Sequence, residues 1–132
     1  MTRRVVLAAV EDLLFKSKIS ETAGQLGVEA RFPRSQEKLL DALRESPPDL
    51  LVLDLNCSRF EPLKLLRTVK SDEDLGRVPT VGFLSHVQKD LAMAARASGC
   101  DHVVARSAFT RNLPQILAAQ ETGGSTDEVG VG

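Results

Sequence analysis

Two stretches of almost unbroken apolar sequence set the terms for this chain. Val5 to Val10 carries no polar residue, and Leu50 to Leu55 carries only Asp54. A strand with one wet face alternates apolar and polar side chains. A run without alternation is buried on both faces, which is the mark of a parallel strand covered by helices on either side.

The segments between these runs have helical spacing. Leu13, Leu14, Phe15, Ile19, Ala23 and Leu26 follow the first run, and Gly27 is placed to stop that helix at its C′ position. Val28 to Phe32 predicts a short strand ended by Pro33. Ser35 is the expected N-cap of a helix through Leu39, Leu40 and Leu43 that closes near Ser46, ahead of Pro47-Pro48. Pro62 to Val69 predicts a helix closing near Ser71, and Val78 to Leu84 a strand. Gln88 to Ser98 predicts an alanine-rich helix ending at Gly99, and Val103-Val104 centres a last strand. Thr110 or Asn112 is expected to cap a final helix through Ala119, with Pro114 in its first turn. Strand and helix alternate five times, which predicts an α/β, doubly wound, five-stranded parallel sheet. Residues 1–121 form the expected domain. Residues 122–132, rich in Gly, Ser, Thr, Asp and Glu, read as a flexible tail or linker remnant.

Composition narrows the function. The 132 residues include 17 basic and 18 acidic side chains, a net charge of -1. That balance gives no footprint for nucleic acid or an anionic membrane. Trp and Tyr are absent, so stacking platforms for single-stranded nucleic acid are not expected. No apolar stretch approaches a membrane span, and the apolar part of the N-terminus is too short for a secretory signal. Cys57 and Cys100 have no metal-binding spacing and fall at opposite ends of the sheet, so no disulfide joins them in this reading. The expected compartment is the cytosol.

In doubly wound sheets the working site lies beyond the carboxyl ends of the strands. There the sequence puts Glu11 and Asp12 after the first strand, Asp54 and Asn56 at the third, Ser85 and His86 after the fourth, and Arg106 and Ser107 after the fifth. Polar residues are common where strands leave a core, but Asp54 sits inside an apolar run and must be solvated, paired or metal-bound. His86 is expected in an exposed loop, and His102 on the surface at a strand start.

Over residues 3 to about 119 the chain resembles the response-regulator receiver domains of two-component phosphorelay signalling, the CheY-like superfamily. The resemblance rests on Pro48-Asp49-Leu50-Leu51-Val52-Leu53-Asp54-Leu55, which looks like the family's phosphoacceptor strand. It also rests on the spacings among Glu11, Asp54, Ser85 and Arg106, and on Ala97-Ser98-Gly99-Cys100-Asp101-His102 leading into the last strand. It implies a flavodoxin-like (βα)5 fold with strand order 2-1-3-4-5. Asp54 would accept a phosphoryl group, with Ser85 and Arg106 as the hydroxyl and cation that meet it. Mg²⁺ would be held by Glu11, Asp54 and the backbone carbonyl of Asn56.

Departures from the family pattern point to a degenerate, pseudo-receiver variant. Val10 stands where the first acid of the family's metal-binding pair belongs, and Glu11 where the second does, so the implied Mg²⁺ site is weak. Asp12 is expected to start the first helix. Arg106 replaces the family lysine and Ser107 its following proline, and a planar guanidinium is not a point charge. Val103 stands where many receivers carry a switching aromatic, and the loop after Asp54 lacks the usual form.

The reading is a stand-alone receiver-like domain acting through protein contacts, with no enzymatic activity beyond self-phosphorylation on Asp54. The implied partners are a histidine kinase, a phosphotransfer protein or a downstream effector, contacted in part through Leu14 and Lys18. A homodimer through the fourth helix, last strand and last helix, centred on Leu91 to Ala97, is a further expectation. The alternative is a phosphorylation-independent docking scaffold. A flavin or nucleotide site is disfavoured, because Val10-Glu11-Asp12-Leu13 repels phosphate where a cradle would have to be.

Overall fold

The computed structural model describes residues 3–85 and 88–118. Strands β1 (Val5–Ala9), β2 (Glu29–Arg31), β3 (Leu50–Asp54), β4 (Thr80–Leu84) and β5 (His102–Ala105) form one sheet in the order β2-β1-β3-β4-β5, with every pairing parallel. Helices α1 (Leu13–Leu26), α2 (Gln36–Glu45), α3 (Pro62–Ser71), α4 (Lys89–Ala97), α5 (Arg106–Arg111) and α6 (Leu113–Leu117) complete the chain. The expected topology is therefore present. No helix among the described residues is long and apolar enough to cross a membrane. His86 and the tail from residue 119 lie outside the described residues.

The unbroken runs are explained by two cores, one on each face of the sheet. Leu7, Ala9, Leu51 and Leu53 point to one face, where they meet Leu39 and Leu43 of α2, Leu65, Leu66 and Val69 of α3, and Ala92 and Ala95 of α4. Val6, Ala8 and Val52 point to the other, where they meet Ile19 and Ala23 of α1 with Phe109, Leu113 and Leu117 of α5 and α6. All five residues of β3 are buried.

Local signals act where the sequence puts them. Asp12 accepts from the Phe15 N–H at 3.1 Å and caps α1, and Ser35 accepts from the Lys38 N–H at 3.1 Å and caps α2. Gly27 ends α1 with φ 71°, a left-handed conformation suited to glycine.

One expectation needs correction. The final helix, α6, follows Asn112 with Pro114 in its first turn, as expected, but a further short helix, α5, precedes it. Arg106 is already the first residue of α5, and the break falls at Asn112. Asn112 holds the N-cap position of α6 without a side-chain capping bond, and Thr110 lies inside α5 with its hydroxyl donating to the Arg106 carbonyl at 3.0 Å. The break between the two helices comes from Pro114, which has no N–H for a continuous ladder and disfavours helical backbone before it. Leu13 and Leu14 are 76% and 84% exposed and belong to neither core, so the buried face of α1 begins at Phe15.

A polar clasp holds the end of the sheet opposite Glu11 and Asp54. Asp101 Oδ2 accepts from Lys70 Nζ at 2.9 Å, the Thr80 N–H at 2.9 Å and the Thr80 hydroxyl at 3.1 Å, while the Asp101 N–H donates to Thr80 Oγ1 at 2.9 Å. Lys70 also donates to the Val78 carbonyl at 2.8 Å. Gly99 permits this packing: its φ is 105°, and a Cβ there would stand 2.5 Å from Lys70 Cγ. Burial works against the Asp101 charge, but the Lys70 and Thr80 bonds outweigh it and hold its carboxyl below the usual aspartate range. A lowered folded pKa contributes stability that is present above the unfolded value and is lost as pH falls through the folded one. Asp101→Ala is expected to cost about 1–3 kcal/mol near neutral pH. Urea titrations at about pH 7 and about pH 3 check this, with the gap from wild type narrowing in acid.

Candidate functional site

β3 delivers Asp54 to the carboxyl edge of the sheet with its side chain only 7% exposed. A bare carboxylate in that position is costly, and three things surround it. The Asn56 N–H donates to Asp54 Oδ1 at 2.9 Å, closing a turn directly after the strand. Arg106 Nη2 stands 3.5 Å from Asp54 Oδ2. The charges of Asp12 and Glu11 also reach Asp54 and oppose its ionisation. Burial dominates: the Asp54 carboxyl lies above the ordinary aspartate range, despite the pull of the Asn56 N–H and Arg106.

Arg106 is placed by its helix and by aromatic rings. As the first residue of α5 it leaves β5 directly over the site. Its guanidinium carbon lies 5.1 Å from the centroid of Phe15 and 5.6 Å from that of Phe83. Phe15 stacks on Phe83 at 4.8 Å and Phe83 on Phe109 at 4.6 Å, so α1, β4 and α5 each contribute one ring to a continuous stack. Nε of Arg106 is buried and donates to no protein acceptor among the described residues.

The rim is tied together by Asn56. Its Oδ1 accepts from the Ser85 N–H at 2.7 Å, and its Nδ2 donates to Gln88 Oε1 at 2.8 Å. Glu11 sits at the same edge but is engaged elsewhere. Its Oε1 accepts from Cys57 Sγ at 3.3 Å, and its Oε2 lies 3.9 Å from Arg59. Burial pushes the Cys57 thiol up, and Glu11 adds to the shift. Cys100, at the far end of the sheet, is raised to about 11 by burial. Both cysteines are free.

Asp54 and Arg106 are thus in contact, with Glu11 and Ser85 at the same rim. The side chain of Asn56, Gln88 and the aromatic shelf were not identified from sequence. Phe15 was legible only as a core residue at helical spacing. The Asn56 and Gln88 amides join loops 32 positions apart, a pairing without a local signal.

A five-stranded parallel sheet in the order β2-β1-β3-β4-β5 with helices on both faces defines a flavodoxin-like fold. No family model matches the chain. The polar-differentiation response regulator DivK of Brucella ovis is 27% identical over 109 residues, which cover 80% of this chain and 85% of that protein. The phosphorylated cyanobacterial phytochrome response regulator RcpA superposes with a TM-score of 0.75 at 22% identity, covering 89% of this chain and 91% of that one. The Mn²⁺-bound response regulator Rcp1 superposes with a TM-score of 0.77 at 18% identity, covering 92% and 97%. The chain is similar in sequence to DivK and has the fold of the CheY-like response regulators it superposes on.

The residues here fit a tight divalent-metal site poorly. Val10 is fully buried in the core with Phe83 and Phe109 and offers no oxygen. Both Glu11 oxygens and both Asp54 oxygens already face protein partners. Among the described residues no three acidic, His or Cys side chains gather as a metal cluster. Mg²⁺ demands near-ideal octahedral oxygen geometry, which two engaged carboxylates and a carbonyl supply badly.

The raised Asp54 carboxyl gives a stability prediction. A raised folded pKa contributes stability that is fully present below the unfolded value and is lost as pH rises through the folded one. Asp54→Asn is therefore expected to be more stable than wild type near pH 7, by about 1 kcal/mol, a few degrees in Tm. The difference disappears in acid. Calorimetry across pH tests this, and a variant less stable than wild type at neutral pH would refute it.

Proposed function

We propose that this receiver domain accepts a phosphoryl group on Asp54 and passes the signal on through protein contacts. The observation that carries the reading is the Asp54–Arg106 contact at a buried carboxyl edge. In the reaction, a carboxylate oxygen of Asp54 attacks phosphorus. The bond from phosphorus to the donor (a histidine nitrogen or an acyl oxygen) breaks, and its electron pair leaves with the donor. A carboxyl above the ordinary range is a better nucleophile than a solvated aspartate once ionised. Arg106 offsets charge on the transferring oxygens, and the Ser85 hydroxyl at the rim is assigned to the product phosphoryl. Any Mg²⁺ at Glu11, Asp54 and the Asn56 carbonyl is held weakly, and no step here is routed through it.

The donor or receiver of the signal is a protein: a histidine kinase, a phosphotransfer protein or a downstream effector. Exposed Leu13 and Leu14 supply an apolar contact beside the site, with Lys18 one turn further along α1. Self-association through α4, β5 and α5 has Met93 as a large exposed apolar residue, while Ala92 and Ala95 of that run are buried. The two free thiols suit a reducing, cytosolic setting. A phosphorylation-independent docking scaffold is the second reading, favoured by Val10 and by the engagement of Glu11 with Cys57 and Arg59.

Acetyl phosphate followed by intact mass spectrometry separates the two. The first reading expects a single phosphoryl adduct that Asp54→Asn abolishes, with amide shifts around Asn56, Ser85 and α4. No adduct, or one that persists in Asp54→Asn, would favour the scaffold.

A further inference from the structure

We propose that Arg106, laid on the Phe15–Phe83 shelf, is the resident counter-cation of Asp54 and occupies the electrostatic role a divalent ion would otherwise fill. The inference rests on the reading that Asp54 is the functional acid. Three observations on different elements converge on it. Arg106 meets Asp54 at 3.5 Å, the one carboxylate oxygen not taken by the Asn56 N–H. Its guanidinium lies over two stacked rings, which fix a flat cation better than a flexible ammonium. Val10 closes the neighbouring position with buried hydrocarbon where a metal would need an oxygen.

A fixed cation and a divalent ion compete for the same oxygen. The guanidinium keeps most of its charge at Asp54 because its side chain is only about a third exposed and aromatic faces displace water from it. Arg106 therefore balances the carboxylate at rest and the phosphoryl oxygens after transfer. Phe15 is a positioning residue: it acts through the guanidinium that lies over its ring.

The experiment measures metal binding apart from phosphorylation. Mn²⁺ is titrated into the full chain, and paramagnetic broadening of amides near Glu11 and Asp54 is followed by NMR. Wild type is expected to bind weakly. Arg106→Gln binds Mn²⁺ roughly tenfold tighter or more, because the competing charge is gone. Phe15→Leu gives a smaller gain and shifts the Arg106 Nε–H resonance as the ring current is lost. Arg106→Lys, which keeps the charge, guards against an unfolded glutamine variant and is expected to fall between wild type and Arg106→Gln. Equal Mn²⁺ affinity in wild type and Arg106→Gln would overturn the proposal. An unmoved Nε–H resonance in Phe15→Leu would overturn the role of the shelf. In parallel, acetyl phosphate labelling is run in EDTA and in Mg²⁺, and rates within about threefold of each other are expected. An adduct that forms only with Mg²⁺ overturns the counter-cation proposal and leaves the phosphoacceptor reading standing. No adduct in either condition overturns the phosphoacceptor reading, and the Mn²⁺ titration then decides the counter-cation proposal by itself.

Discussion

Ending a strand that is buried on both faces with a carboxylate creates a problem that the rest of the site answers. The hydrocarbon on either side of β3 makes the strand rigid and dry, and it makes an isolated charge at its end cost several kcal/mol. The backbone turn at Asn56 contributes one N–H, and α5 begins at once after β5 so that its first residue overhangs the acid. Neither contact restores an ordinary carboxyl, because burial still dominates. On the phosphoacceptor reading, that residue of unfavourable energy is what separates Asp54 from a purely structural acid.

The same sheet holds the contrasting case. Asp101, at the opposite end, has a lysine at 2.9 Å and three bonds shared with Thr80, and its carboxyl is held low. Asp54 has one backbone bond and a cation at 3.5 Å, and its carboxyl is raised. One acid is clamped by four bonds; the other is left under-satisfied at the carboxyl edge of the sheet. Acid pH acts on them with opposite sign, weakening the clasp while relieving the strain at the site.

Much of this was legible in sequence because it depends on short-range chemistry. Unbroken apolar runs require a two-faced core. Asp12, Ser35 and Gly27 mark helix ends through bonds and torsions within a few residues. Asp54 was conspicuous because a charge inside such a run needs a partner. The illegible parts depend on what faces what. Leu13 and Leu14 share the apolar character of Phe15 and Ile19, but the cap at Asp12 turns them to solvent. Helix α5 begins at Arg106, where the sequence had read the end of the fifth strand. Cys57 looked like a small packing residue, and it is buried, yet its thiol also donates to Glu11 across 46 positions of sequence. The aromatic stack draws on Phe15, Phe83 and Phe109 from three elements, and no spacing rule links them.

The two departures at this edge, Val10 and Arg106, then cease to look independent. Val10 packs in the cluster that contains Phe83 and Phe109, with Phe15 against it, and those rings are the surface on which Arg106 lies. An acid at position 10 would put a second buried carboxylate beside Asp54 and would wet the shelf, so the guanidinium would lose both its apolar seat and its single partner. A lysine at position 106 would keep the charge but could not lie flat against two rings. An apolar residue at one position favours a planar cation at the other. On the counter-cation reading, the edge of this sheet is therefore internally consistent: the oxygen that a metal would need has been exchanged for the hydrocarbon that an arginine needs.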